Sequence, residues 1–271
     1  MGKAENNDAI SRENFILEHL EKNEYVNVAF LSKALSVSEM TIRRDLEKLE
    51  KKEKLLRVYG GARSIKRETH EEPISKRLVA NAEEKNAIGR YCASLVEDGD
   101  VIALDASTTA FALAKHLKAR VTVVTNNIFV AHGLSSKENV EIVLLGGTVR
   151  KASCSTVGLD MAQMMSKYFV GKLFLSSKAI DMEFGATDAT PYEGEAKKAM
   201  ISSSSEIYLM MDSSKLGKRA FYQVCKIDKI HKIITNQASE YNEAQKEFIE
   251  QCEQNNIDLY FAKHEIQDER C

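Results

Sequence analysis

The chain has 271 residues, 44% of them hydrophobic and 29% charged, with a formal net charge of −2. That is the balance of a globular protein with room for a small domain and a larger one, and it excludes a disordered or collagen-like chain. Five cysteines, odd in number and never spaced as CxxC, argue against a disulfide framework or a zinc site and for a reducing cytoplasmic setting. No apolar run approaches the length of a membrane span, and the N-terminal residues lack the apolar core of a signal peptide.

The small net charge hides a local asymmetry. Residues 1–70 carry 14 basic against 12 acidic side chains, and residues 41–67 carry 10 against 4. Such a patch faces a polyanion or forms a solvated helix face. In chain order, Ser11 can cap a first helix with Phe15, Ile16 and Leu20 on its inner side. Residues 28–35 are short and amphipathic, and Ser38 is a good N-cap for a further helix over 38–51. In that helix Ile42, Leu46 and Leu49 recur at core spacing. Thr41, Arg44 and Lys48 recur on another face, with Arg43 beside them. Arg43 could instead pair with Glu39 or Glu47 on its own helix. Leu55–Tyr59 is strand-like, and Gly60-Gly61 allows a sharp turn or a close backbone approach. Three helices and a hairpin, in this order, predict a winged helix-turn-helix over residues 8–64.

Residues 65–77, polar, charged and containing Pro73, read as a linker. A long helical stretch follows over 78–97. Six short β-branched runs then alternate with helical segments: 101–105, 121–125, 141–147, 172–177, 206–212 and 232–235. They predict an α/β domain over 78–271 with a largely parallel sheet. In such sheets ligands gather beyond the carboxyl ends of the strands. Those ends share one chemical character here. The first runs into Asp105, Ser107, Thr108 and Thr109 at a helix N-terminus, which suits a phosphate or serves as a plain cap. The second ends in Thr125, Asn126 and Asn127, and the third in Gly146-Gly147. The fifth ends in Asp212 and Lys215, which could equally be a surface pair. Between them lie Glu195 and Lys198, three apart on one helix face. The set fits a phosphorylated polyol better than a base, for which few aromatic stacking partners are present.

Residues 31–63, with Thr41-Ile42-Arg43-Arg44-Asp45-Leu46 and Gly60-Gly61-Ala62, resemble the DeoR-type winged helix-turn-helix. Asp105–Thr109, Thr125–Asn127, Leu144–Gly147 and Asp212–Lys215 resemble that family's sugar-phosphate sensor, whose fold is related to ribose-phosphate isomerase and the CoA transferases. The resemblance spans residues 10–236. It implies a transcription regulator, usually a repressor of sugar uptake and catabolism, controlled by a phosphorylated sugar; one small winged domain makes few contacts with operator DNA, so a dimer or tetramer is expected. It implies DNA contacts from Ser38, Thr41, Arg43, Arg44, Lys48, Arg57, Gly60, Gly61 and Arg63. It places Asp105, Ser107, Thr108 and Thr109 at the effector's phosphate end, with Thr125, Asn126, Asn127, Gly146, Gly147, Glu195, Lys198, Asp212 and Lys215 around the rest. Release of DNA by the effector is the commoner arrangement it implies. No cofactor or metal is expected. Glu53 and Ala179 depart from glycines common in the family. The rival reading is a sugar-phosphate isomerase-like enzyme, since the carboxylates could carry protons through an enediol.

Overall fold

The computed structural model describes residues 11–20, 25–52, 54–58, 60–64 and 73–263, and not the side chains of Arg63 and Ser64. The chain divides into two compact units, Met1–Arg67 and Glu68–Cys271. The division falls inside the expected linker. Glu53, residues 65–72 of that linker and the outer ends of both expected domains lie outside the described residues.

In the first unit, α1 covers residues 11–20, with Ser11 already helical. It is followed by β1 (Tyr25–Asn27), α2 (Val28–Leu35), α3 (Glu39–Lys51), β2 (Leu55–Val58) and β3 (Gly61–Ser64). Asn27 caps α2 by accepting from the Phe30 amide, and Ser38 caps α3 by accepting from the Thr41 amide. Ile42, Leu46 and Leu49 are buried with Ile16, Leu20, Leu31 and Leu55 in one core. Burying a side chain of this size stabilises by about 1.5–3 kcal/mol, so the seam fixes the rotational phase of α3. β2 and β3 form the antiparallel hairpin of the wing. The sequence did not announce β1, which pairs with β3 and places Asn27 opposite Gly61. A side chain at Gly61 would meet the Val26 carbonyl oxygen at 2.1 Å, so glycine there permits the three-stranded sheet.

The second unit begins with α4 (Ile74–Val79) and α5 (Ala82–Ser94). The expected continuous helix is broken at Asn81, whose φ of 51° is left-handed, and α4 starts within the stretch read as linker. Then come β4 (Val101–Leu104), α6 (Thr108–His116), β5 (Val121–Thr125), α7 (Ile128–Leu134) and β6 (Val140–Leu144). A hairpin of β7 (Thr148–Arg150) and β8 (Ser155–Val157) leads to α8 (Leu159–Met165) and β9 (Val170–Leu175). After β10 (Ala179–Asp181) and β11 (Gly185–Asp188) come α9 (Pro191–Ser202), β12 (Ser204–Met210), β13 (Tyr222–Cys225), β14 (Lys232–Asn236), α10 (Glu243–Gln254) and β15 (Leu259–Ala262).

All six predicted strands lie in one seven-stranded sheet of order β15-β14-β12-β9-β4-β5-β6. Every pairing in it is parallel. Two cores lie on its opposite faces. Ile102, Leu104 and Phe174 point into the core shared with α5, α6 and α7. Ala103, Leu173 and Leu175 point into the core shared with α8, α9 and α10. This alternation along single strands produces the three-layer α/β/α architecture. The chain starts its sheet at β4, works outward to β6, then crosses back to β9 and works outward the other way. The strand order therefore reverses between β4 and β9, where a crevice opens beyond the carboxyl ends of the strands.

Candidate effector site and nucleic-acid interface

Asp105 ends β4 and is fully buried at this reversal point. Its Oδ2 accepts from the amide and the hydroxyl of Ser176, both at 2.8 Å, at the end of the neighbouring β9. Its Oδ1 is buried and has no hydrogen-bond partner. At the end of β5, Thr125 donates to the Leu104 carbonyl at 2.7 Å and accepts from the Asn127 amide at 3.1 Å. Asn126 donates through Nδ2 to the Thr156 carbonyl at 2.8 Å, which fixes its orientation and leaves its buried Oδ1 without a partner. Two adjacent strands thus each present one unfilled acceptor. An unpaired buried acceptor costs about 1–3 kcal/mol, so the site is built for donors.

Ser107 caps α6, accepting from the Ala110 amide at 2.9 Å, and Asn127 caps α7, accepting from the Val130 amide at 2.9 Å. The cap reading therefore holds for the Ser107 side chain, and Asn127 proves to be a cap that the sequence reading did not foresee. Thr108 and Thr109, in the first turn of α6, are buried. Their amides stand at the positive end of the helix dipole. Gly146 and Gly147 are exposed in the turn between β6 and β7.

Helix α9 corrects one expectation. Glu195 and Lys198 do not face the strand ends. They form an outer cluster with Tyr222, whose hydroxyl donates to Glu195 and accepts from Lys198 at 3.0 Å. The residues turned inward are Glu193 and Lys197. The phase of the helix is set by Gly194, where a Cβ would meet the Tyr222 ring at 2.2 Å. Lys197 is buried with its ammonium 2.5 Å from Asp188 Oδ2 and 3.4 Å from Asp105 Oδ2. Burial opposes its charge, but Asp188 and Asp105 outweigh it and raise its pKa above the ordinary lysine value. Glu193 Oε1 accepts from Ser153 at 2.6 Å and Ser155 at 2.7 Å, and lies 3.2 Å from Arg150 Nε.

The other end of the site leans basic. Asp212 is buried, accepts from Asn81 Nδ2 at 2.9 Å and from Ser214, and lies 3.6 Å from Lys215. Burial opposes its ionisation, yet Lys215, Ser214, Lys85 and Asn81 together hold its carboxyl below the usual aspartate range. Lys85 is pushed down to about 8 by burial first and then by Lys215. Lys178 is lowered for the same two reasons, and its charge is felt by both Asp188 and Asp212. Sequence reasoning missed Lys85, Asp188, Glu193 and Lys197, which stand in none of the strand-end motifs it read, and passed over Lys178, which directly follows the fourth strand run.

In the first unit, Arg44 is exposed and has no ion-pair partner among the described residues. Arg43 lies 3.4 Å from Glu39, an exposed pair on its own helix. Lys48 is 4.0 Å from Asp45, and Arg57 is 3.9 Å from Glu50, which also accepts from the Arg57 amide. Ser38 and Thr41 share a 2.9 Å hydroxyl contact at the start of α3. Gly60 sits in the wing turn with φ of 77°. Asp45 is buried and holds Arg12 of α1 at 2.9 Å, so the acid inside the arginine-rich motif is a strut between helices.

Helix-turn-helix, wing and a doubly wound sensor together define a two-part transcription regulator. The comparisons agree. Residues 12–68 match the DeoR-like helix-turn-helix domain, and residues 80–237 match the DeoR C-terminal sensor domain. The chain is 40% identical to the HTH-type transcriptional repressor GlcR of Bacillus subtilis, over 82% of its own length and 86% of the relative. It is 41% identical to the regulator YulB of the same organism, over 83% and 88%. It is 30% identical to the regulator IolR, also of that organism, over 92% and 96%. A probable sor operon regulator from Shigella flexneri superimposes with a TM-score of 0.40 at 10% identity, covering 62% of this chain and 88% of that one. The chain belongs to the DeoR family of DNA-binding transcription regulators. No helix among the described residues is long and apolar enough to cross a membrane.

Proposed function

We propose that the protein represses genes of sugar uptake or catabolism and that a phosphorylated sugar sets its affinity for operator DNA. The observation that carries the effector reading is the pair of unfilled buried acceptors, Asp105 Oδ1 and Asn126 Oδ1, at the ends of the neighbouring strands β4 and β5, beside the reversal of the strand order. A polyol supplies hydroxyl donors for both. The phosphate sits against the N-terminus of α6 at Thr108 and Thr109, and Lys178 and Lys215 neutralise its charge. The effector acts as a ligand and is not turned over; a DNA-binding head has no use in an isomerase, and the relatives named above are transcription regulators.

On the DNA side, α3 enters the major groove. Thr41, Arg44 and Lys48 meet base edges and phosphates, Arg43 and Arg57 hold backbone, and the wing lies along the minor groove. One such head makes few contacts, so a homo-oligomer supplies the second half-site.

A thermal-shift series with glucose 6-phosphate, fructose 6-phosphate, ribose 5-phosphate and the unphosphorylated sugars tests the reading, because a ligand raises the melting temperature by mass action. At least one phosphorylated sugar stabilises the wild-type chain, its unphosphorylated form does not, and Asn126→Ala weakens the effect. Equal stabilisation by the free sugar, or steady conversion of the phosphorylated one, overturns it.

A further inference from the structure

Helix α4 has six residues, far fewer than a helix needs to hold itself together in water. Pro73 gives it no side-chain cap. Its order comes from what grips its ends. At the front, the Ile74 amide donates to the Ala152 carbonyl at 2.8 Å. Ala152 belongs to the turn between β7 and β8 whose Ser153 and Ser155 hold Glu193. At the back, Lys85 is buried and donates to the carbonyls of Arg77 and Ala80, which the helix end leaves unsatisfied. Asn81, at the break between α4 and α5, donates to Asp212. The helix is therefore tied at its front to the loop that carries Ser153, and at its back to Lys85, with Asn81 just behind it bonded to Asp212. It is also the first described element after residues 65–72, which join it in sequence to the DNA-binding unit.

We propose that α4 is a strap over the effector site, and that Asn81 and Lys85 are the positioning residues that make its placement depend on Asp212. Lys215 is the partner that Asp212 shares with the incoming phosphate. When the phosphate draws Lys215 away, Asp212 leans more heavily on Asn81 and on the Lys85 charge, and the back of the strap is pulled toward the strand ends. The strap is thereby the element through which occupancy of the site reaches the chain that leads in sequence to the DNA-binding unit. This inference rests on the effector reading above.

The test uses the full chain as wild type, Asn81→Gly, Lys85→Met and Lys85→Arg. Glycine at 81 removes the amide while tolerating the left-handed φ. The DNA is a duplex selected by the wild-type protein from a random pool, and the probes are the three phosphorylated sugars above. Hydrogen exchange of residues 74–80 rises about tenfold in Asn81→Gly, the size expected on losing a hydrogen bond to a carboxylate, while β4 and β5 keep their protection. A sugar phosphate still raises the melting temperature of Asn81→Gly; Lys85→Met, altered inside the basic end of the site, is read against Lys85→Arg. The change the sugar phosphate causes in DNA affinity shrinks at least fivefold in both, and Lys85→Arg restores it. A purely structural role would lower stability without separating binding from response. Unchanged exchange at 74–80, or a wild-type response in Asn81→Gly, overturns the strap. If Lys85→Met does not fold, Asn81→Gly, altered at an exposed residue, decides alone. If no sugar phosphate shifts the wild type, the effector reading fails and the strap is judged without ligand. Altered DNA affinity in Asn81→Gly together with faster exchange supports it, and unaltered affinity overturns it.

Discussion

Lys197 and Asp105 form an ion pair, Nζ to Oδ2 3.4 Å, with the carboxylate wholly shielded from water and the lysine nearly so. The pair joins α9 on one face of the sheet to the end of β4 in its centre. Lys197→Met removes a cation that touches both Asp105 and Asp188. Breaking a buried pair by removing one partner costs about 3–5 kcal/mol, because a charge stays behind uncompensated. Urea unfolding of the second unit shows that loss, and the double variant Lys197→Met with Asp188→Asn recovers part of it. A loss under 1 kcal/mol in the single variant contradicts the account.

Arg44→Ala leaves the core seam of α3 intact, since Ile42, Leu46 and Leu49 face the other way. Each good base contact by an arginine carries about 1–3 kcal/mol, so affinity for a selected operator falls roughly 5- to 150-fold. Titration by fluorescence anisotropy measures it. Lys48→Ala, by contrast, weakens binding to all sequences and lowers the salt slope by about one. An Arg44→Ala protein that binds its operator as the wild type does removes α3 from the recognition role.

Gly61→Ala drives a methyl group into the Val26 carbonyl, 2.1 Å from the ideal Cβ position. Overpacking of this kind costs about 1–3 kcal/mol. The cost falls on the sheet of the first unit, so operator binding weakens and the first unit melts earlier, while the sugar-phosphate thermal shift of the second unit is retained. Loss of the thermal shift as well would show that the damage is not confined to the wing.

Asp212 has a carboxyl held below its ordinary value. An acid of this kind adds stability that is fully present above the unfolded value near 3.8 and is lost as pH falls through the depressed native value. Asp212→Asn therefore lowers the melting temperature most at neutral pH, and the difference from wild type closes as the solution is taken below about pH 4. A gap that stays constant down to acid pH refutes the linkage.

The sequence carried helix α3 well. A core seam at 42, 46 and 49 leaves only one phase for the exposed face, and Ser38 marks where the helix starts. The six strands were legible because β-branched runs bounded by small polar residues have few other uses. β15 was not, because four residues, Leu259–Ala262, carry too little pattern and depend on β14 for their register. The β7–β8 hairpin and the small sheet of β10, β11 and β13 escaped for the same reason. The error in α9 is more instructive. Glu193 with Lys197 and Glu195 with Lys198 are both acid–base pairs at helical spacing. Only the packing of Gly194 against Tyr222, far away in sequence, decides which pair turns inward. Lys85 was hidden differently: a lysine within a helix looks like surface until the carbonyls it caps are known.

The seam between β4 and β9 is short, with three residue pairs in register. On one side lie β5 and β6 with α6 and α7; on the other lie β12, β14 and β15 with α9 and α10. Each side is wound by its own run of chain, and α5, packed on both α6 and β14, laces the two boards across the line where they meet. A ligand seated over that line touches both boards, which makes it a mechanical fastener as much as a signal. Pulled apart across that line, the loaded sensor should need a greater force than the empty one.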